Sequence, residues 1–303
     1  MKFLSENVKP FVKFMMMIAV MMSCFSLAAL TLSTLNYLSP ELQQTRAGQL
    51  SLQAIASAIM FGLSTAIYIF LFDRGFSKQF CKPTNSHLWI WAIVLPLTCI
   101  PLVDWLNLWN DSLSFPQEEI WRQMQQNSSE SVAKMLSTNS LTGLLGSILV
   151  FALVPAVFEE LFFRGVLQRI CTEWFQNALW GIVISSVIFS FVHFEIFSFV
   201  PRFVLSCMMG LLFAIGKSLW VNIAYHFVNN LANCLFHYLA TKGVIPQADS
   251  SLWSQQIWLI VLSTAIFTAF IAYIFILNKK AKNSIRTNKT PFQKIKIKTF
   301  LKG

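Results

Sequence analysis

Apolar residues run along this chain in stretches of about 20, the length at which a helix crosses a hydrocarbon core about 30 Å thick. Eight such stretches are predicted as spans, near Phe11–Leu32, Leu52–Phe72, Leu88–Leu108, Leu141–Phe163, Ala178–Val200, Phe203–Ile215, Trp220–Leu239 and Ile257–Leu277. The sixth is short and is completed by its neighbours. The pattern therefore predicts an all-α polytopic membrane bundle. Lys2, Lys9 and Lys13 precede the first stretch. Its apolar run is too long for a signal-peptide core and no small-residue cleavage pattern follows, so it is expected to be a retained span.

One long polar stretch interrupts the pattern, Asn110–Ser140. Ile120, Met124, Met135 and Leu136 give it a weak helical stripe. This predicts a short amphipathic helix lying on the outer surface of the bilayer; a lid over a cavity is the other reading. The chain then divides into residues 1–140 (three spans and this external loop), a core at 141–240 with spans four to seven, a last span within 241–278, and a tail at 279–303. No internal repeat and no soluble second domain are evident.

Composition supports the same class. Hydrophobic residues make up 55% of the 303 and charged residues 12%, against roughly 25% charged in soluble domains. The net charge is +10, but its placement matters more than its size. Nine Lys and Arg fall between Lys279 and Lys302, which reads as a solvated cytoplasmic tail beside anionic headgroups. Nucleic-acid binding is not expected. With both termini placed in the cytoplasm, 18 of the 23 Lys and Arg fall inside and five (Arg46, Arg122, Lys134, Arg202, Lys242) fall outside, as the positive-inside rule requires. The six cysteines are scattered, with no C-x-x-C pair, and read as reduced, buried thiols.

Ionisable groups inside a span cost several kcal/mol and persist where they face a protein interior or a water-filled cavity. They cluster in spans four, five and seven. Span four ends in Glu159-Glu160-Leu161-Phe162-Phe163-Arg164. Glu160 and Arg164 are spaced i and i+4, which predicts an ion pair and leaves Glu159 without a local partner, as suits a general base. The alternative is that both glutamates are solvated end-caps in the cytoplasmic headgroup layer. Span five carries His193, which reads equally as a hydrogen-bonded core residue. Span seven carries His226 and Asn230 on one face, an arrangement that interhelical hydrogen bonding also uses. His87 and His237 lie near span ends.

In order along the chain, Glu159-Glu160-x-x-x-Arg164, Phe189-x-x-x-His193 and His226-x-x-x-Asn230 resemble the three motifs of the CAAX-protease and bacteriocin-processing (CPBP) family of intramembrane proteases. The flanking run Phe158–Gln168 is also similar to that family's first motif, and the resemblance covers Leu141–Leu239. It implies a helical membrane bundle that hydrolyses a peptide bond within or near the bilayer. By the resemblance, Glu159 would activate water, His193 would hold and polarise it, and His226 and Asn230 would donate to the oxyanion. Glu160 and Arg164 would be structural. No cofactor is required by this set; if a metal is bound, zinc held by Glu159, His193 and His226 is the expectation.

The predicted activity is an endopeptidase facing the cytoplasm, in a bacterial inner membrane, acting on a prenyl-type or leader-type peptide. A non-catalytic membrane partner on the same scaffold, serving bacteriocin immunity or sensor regulation, is the alternative. A proton relay or transporter is a third class, against which the spans show no paired halves. The predicted topology carries a geometric demand. Glu159 and His226 lie toward the cytoplasmic half and His193 nearer the midplane. They meet only if span five begins near Trp180–Gly181 or span four is long and tilted.

Overall fold

The computed structural model describes residues 8–73, 75–83, 85–245 and 256–287, and the described residues form helices and no strand. In chain order the main elements are α1 (Pro10–Leu38), α2 (Arg46–Phe72), α3 (Leu88–Thr98), α4 (Ile100–Asp111), α5 (Glu118–Leu136), α6 (Leu141–Phe175), α7 (Ala178–Phe191), α8 (Phe199–Gly216), α9 (Leu219–Thr241) and α10 (Ile257–Thr287). Five of them, α1, α2, α6, α8 with its lead-in, and α10, are long and apolar enough to cross a membrane. The chain is a multi-pass membrane protein.

The other three predicted spans depart from simple spans, each for a local reason. The third is two helices, α3 and α4, bent by 50°. Pro101 stands in the first turn of α4, and a proline disfavours helical backbone in the residue before it and removes a donor. The fifth ends at Phe191 instead of running to Val200. The chain turns there through Phe194 at φ 56 and a short 3-10 turn, Ile196–Ser198. The seventh, α9, has 23 residues but is not among the apolar spans, because Asn222, His226, Asn229, Asn230 and Asn233 lower its hydropathy.

The geometric demand is met by span four. α7 starts at Ala178, as predicted, but α6 continues 12 residues past Phe163 to Phe175. At 1.5 Å per residue α6 is about 50 Å long. Glu159 therefore sits at its midpoint and not at a cytoplasmic end. Two π-helical turns interrupt α6, at Ile148–Leu153 and Phe163–Gln168, so the glutamates lie between two places where the helix is underwound and wider, a feature frequent at functional sites. α2 carries a third, Ala58–Leu63.

α5 is the helix expected in the polar stretch, although the predicted stripe is not the face it packs. Ile120 and Met124 are exposed, whereas Leu136 is buried. The packed side runs through Gln125, whose amide oxygen accepts from Phe197 N at 3.2 Å and whose nitrogen donates to Ser198 Oγ. Arg46, at the start of α2, ties this end of the bundle together by donating to Met135 O, Gly143 O and Ser147 Oγ. α10 runs on to Thr287; of the basic tail expected at 279–303, residues 288–303 lie outside the described residues.

α6 and α7 form a tight antiparallel hairpin that sets where His193 arrives. Gly181 is the close point. A Cβ there would lie 2.1 Å from Thr172 Oγ1, 2.8 Å from Gln168 O and 3.0 Å from Thr172 N. Two of the three atoms are backbone, so truncating Thr172 does not make room. Gly181→Ala is expected to lower stability by about 1–3 kcal/mol, the usual cost of overpacking. Thermal unfolding in detergent checks it, with Thr172→Ala expected not to rescue the variant.

Candidate active site

The site is built around Phe162–Arg164 and the carboxylates one turn before them. Glu160 and Arg164 are both fully buried, and Arg164 Nη1 donates to Glu160 Oε1 at 2.9 Å, the pairing that the i, i+4 spacing predicts. Arg164 Nη2 also donates to Ser206 O and Oγ on α8, at 3.1 and 2.9 Å. Its guanidinium lies 5.0 Å from the centre of the Phe189 ring, a favourable cation–π distance. One arginine thus joins α6, α7 and α8.

Glu160 Oε1 has a second partner, His226 Nδ1 at 3.0 Å. Glu160 Oε1 accepts from Arg164, and toward the same oxygen the imidazole donates from Nδ1. A neighbour on one ring nitrogen fixes the role of the other. His226 Nε2 is thereby turned toward Glu159, with Glu159 Oε2 at 4.0 Å. Glu159 and His226 are 8% and 6% exposed, so neither glutamate is a solvated end-cap.

His193 follows the same logic. Its Nδ1 lies 2.7 Å from Phe189 O and donates to that carbonyl, leaving Nε2 free. The Phe189 ring is 5.0 Å from the His193 ring and 6.2 Å from the His226 ring. Phe189 thus explains the i, i+4 spacing of its motif twice, by a carbonyl that orients one imidazole and a ring that packs on both. On α9, Asn229 Nδ2 donates to Asn230 Oδ1 at 3.2 Å, which leaves the Asn230 Nδ2 donor unused.

A cavity of about 690 Å³ brings these groups together; Glu159, His193, His226 and Asn230 all line it. Glu160 and Arg164 lie behind the wall. Further charged and amide residues line the same space, among them Asp104 and Asn107 on α4, Glu195 after α7 and Arg202 on α8. Arg202 Nη2 pairs with Glu195, and its Nη1 is buried without a hydrogen bond. Asp104 was missed by the sequence reading although it stands in an apolar span, the signal that singled out Glu159.

The cavity reaches the surface of the bundle on one side. Its exposed lining residues are Gln53, Ser128 and Asn233, at the end formed by α5 and the turn after α7, opposite Arg169 and Lys217. Ser128 and Val132 of α5 line part of it. Among the described residues no three His, Cys, Asp or Glu side chains are grouped as ligands of one metal ion. His226 Nδ1 faces Glu160 and His193 Nδ1 a backbone carbonyl, which leaves Nε2 as the remaining ring nitrogen of each imidazole.

Residues 141–232 match the family model described as Type II CAAX prenyl endopeptidase Rce1-like, so the resemblance seen in the three motifs holds over the segment that contains all of them. Neither the curated proteins nor the solved structures gave a match.

Proposed function

From an Rce1-like endopeptidase core at residues 141–232, we propose that this chain is an intramembrane endopeptidase in which Glu159 activates a water held within the cavity. The observation that carries this reading is the pairing of a buried carboxylate with an imidazole whose other nitrogen is already fixed. The 4.0 Å between Glu159 Oε2 and His226 Nε2 is too long for a direct hydrogen bond and leaves room for a water beside the carboxylate.

The chemistry follows from the donors available. Glu159 takes a proton from the water as its oxygen bonds to the scissile carbonyl carbon. His193 Nε2 accepts the water's other hydrogen and holds it in place. The carbonyl π electrons move onto oxygen, where Asn230 Nδ2 donates to the developing charge. His226 in its Nδ1–H form is an acceptor at Nε2. It joins Asn230 at the oxyanion only after sharing the proton that Glu159 has taken. This differs from a permanent oxyanion donor, the role the motif alone suggests. Collapse of the tetrahedral intermediate breaks the C–N bond, and the proton passes to the departing amine. No step requires a covalent enzyme intermediate.

The substrate is a peptide bond in a membrane-associated chain of the prenyl or leader type, and the location is a cell membrane. Comparing membrane peptides from cells carrying the intact chain with those from cells carrying Glu159→Gln tests the function. New termini confined to the intact chain are expected; identical peptide sets would overturn the reading. Within the site, Asn230→Ala is expected to lower kcat by roughly 10²–10³-fold with little change in KM, as for other lost oxyanion donors. Initial rates on a peptide identified by that comparison check it.

A further inference from the structure

We infer that Asp104 is a specificity residue of the catalytic cavity, a carboxylate placed to receive a cationic group of the bound peptide, an ammonium or guanidinium close to the scissile bond. This rests on the reading of the cavity as the peptidase site and narrows its substrate class to segments carrying a basic side chain. Three observations carry it.

The first is a carboxylate without a counter-charge. Through its first two turns α4 runs Ile100-Pro101-Leu102-Val103-Asp104-Trp105-Leu106-Asn107, and Asp104 is the one ionisable side chain in them. Asp104 and Asn107 stand three residues apart and so share a face of the helix. Both line the cavity, with Val103 beside them. Both are half-buried, and among the described residues neither side chain has a hydrogen-bond or ion-pair partner. A carboxylate in an apolar segment is costly, and it persists where something is there for it to meet.

The second is how firmly α4 is set against the catalytic turn. Asn110, one turn after Asn107, is 1% exposed. Its Nδ2 donates to Ile196 O at 3.1 Å, and its Oδ1 accepts from Val200 N at 2.7 Å. These bonds tie α4 to the turn that follows His193 and to the start of α8. Asp104 is thereby held in a fixed relation to the catalytic imidazole.

The third is the balance of charge. Among the described residues that line the cavity, Arg202 is the one Lys or Arg, against the carboxylates of Asp104, Glu159 and Glu195. Arg202 Nη2 is paired with Glu195 and its Nη1 is buried, so Arg202 does not neutralise Asp104. The wall therefore carries an excess of negative charge in a space shielded from water, where an entering cation gains and an entering anion loses. An ammonium or guanidinium has several donors, and the Asn107 carbonyl oxygen is a second acceptor for them. An apolar side chain in the same place would leave Asp104 desolvated and unpaired, which selects against it.

Peptides that differ in one charge test this on the purified chain in proteoliposomes. The probes are S-farnesylated, quenched fluorescent peptides of one sequence, with lysine, norleucine or glutamate placed in turn at each residue flanking the modified cysteine. With the intact chain, lysine at one position should raise kcat/KM over norleucine by roughly 10–100-fold, the worth of a hydrogen bond between charged groups. The preference should vanish in Asp104→Asn, and in Asp104→Lys glutamate should become the favoured residue. A lysine preference that is the same in Asp104→Asn, or absent from the intact chain at every position, would overturn the inference. Binding of the same peptides to the Glu159→Gln chain gives a readout without turnover. There the lysine peptide should bind more tightly than the norleucine peptide, and adding Asp104→Asn should remove the difference. Equal affinities, or no binding of any peptide, would overturn the inference as well. Failure of the peptidase reading looks different: the intact chain cleaves none of the peptides while the lysine preference in binding persists.

Discussion

Arg164→Met is expected to cost the bundle about 3–5 kcal/mol, the penalty for removing one partner of a buried ion pair. The guanidinium is 1% exposed and holds Glu160, Ser206 and the face of Phe189 at once. Without it, Glu160 is left as a buried carboxylate whose remaining partner is His226. Much of the loss is the stranded charge and not the bond itself. The double variant Glu160→Leu, Arg164→Met should therefore regain a large part of the stability, since a well-packed apolar pair can replace a buried ion pair. The two melting temperatures in detergent decide it. A double variant no more stable than the single one would mean that Arg164 acts chiefly through α8 and Phe189. Activity should be absent from the double variant, because His226 there loses the carboxylate that fixes its ring.

Glu159→Gln is the second large effect, and it separates chemistry from folding. The carboxylate lines the cavity, with His226 Nε2 of α9 at 4.0 Å. A glutamine of the same shape fills the same space but cannot take a proton from water. A general base is worth roughly 10²–10⁴-fold, so kcat should fall by about that much while the melting temperature stays near that of the unaltered chain. The contrast with Arg164→Met is the informative part, because adjacent turns of one helix would show opposite signatures. A Glu159→Gln chain that cleaves at the full rate would remove Glu159 from the mechanism.

Much of this site was legible in the sequence because a membrane makes polar residues conspicuous. Glu159, His193, His226 and Asn230 stood out in apolar helices. The Glu160–Arg164 pair followed from helical spacing, and the structure adds that Glu160 is also the carboxylate orienting His226, which no spacing rule on one helix conveys. The same polarity hid other features. Gln168, Arg169 and Glu173 look like a loop after Phe163, yet they continue α6, because Gln168 is buried with its amide donating to Gly210 O and Arg169 pairs with Asp73. Misplacing that helix end is what put Glu159 near the membrane surface. Asp104 escaped for a different reason. It stands alone in its span and matches no motif, and only the bend at Cys99 turns α4 so that it lines the cavity. That α5 and the turn after α7 line the cavity depends on long-range packing, a relation between residues far apart in the chain.

The claim beneath all of this is spatial: one water must be within reach of Glu159, His193 and His226 together. A high-resolution cryo-electron microscopy map of the chain in lipid nanodiscs tests it most directly. The prediction is an ordered water hydrogen-bonded to the Glu159 carboxylate and to His193 Nε2, with His226 Nε2 and Asn230 Nδ2 facing the same point. A Glu159 carboxylate turned into lipid headgroups, or separated from either imidazole by packed side chains, would contradict it.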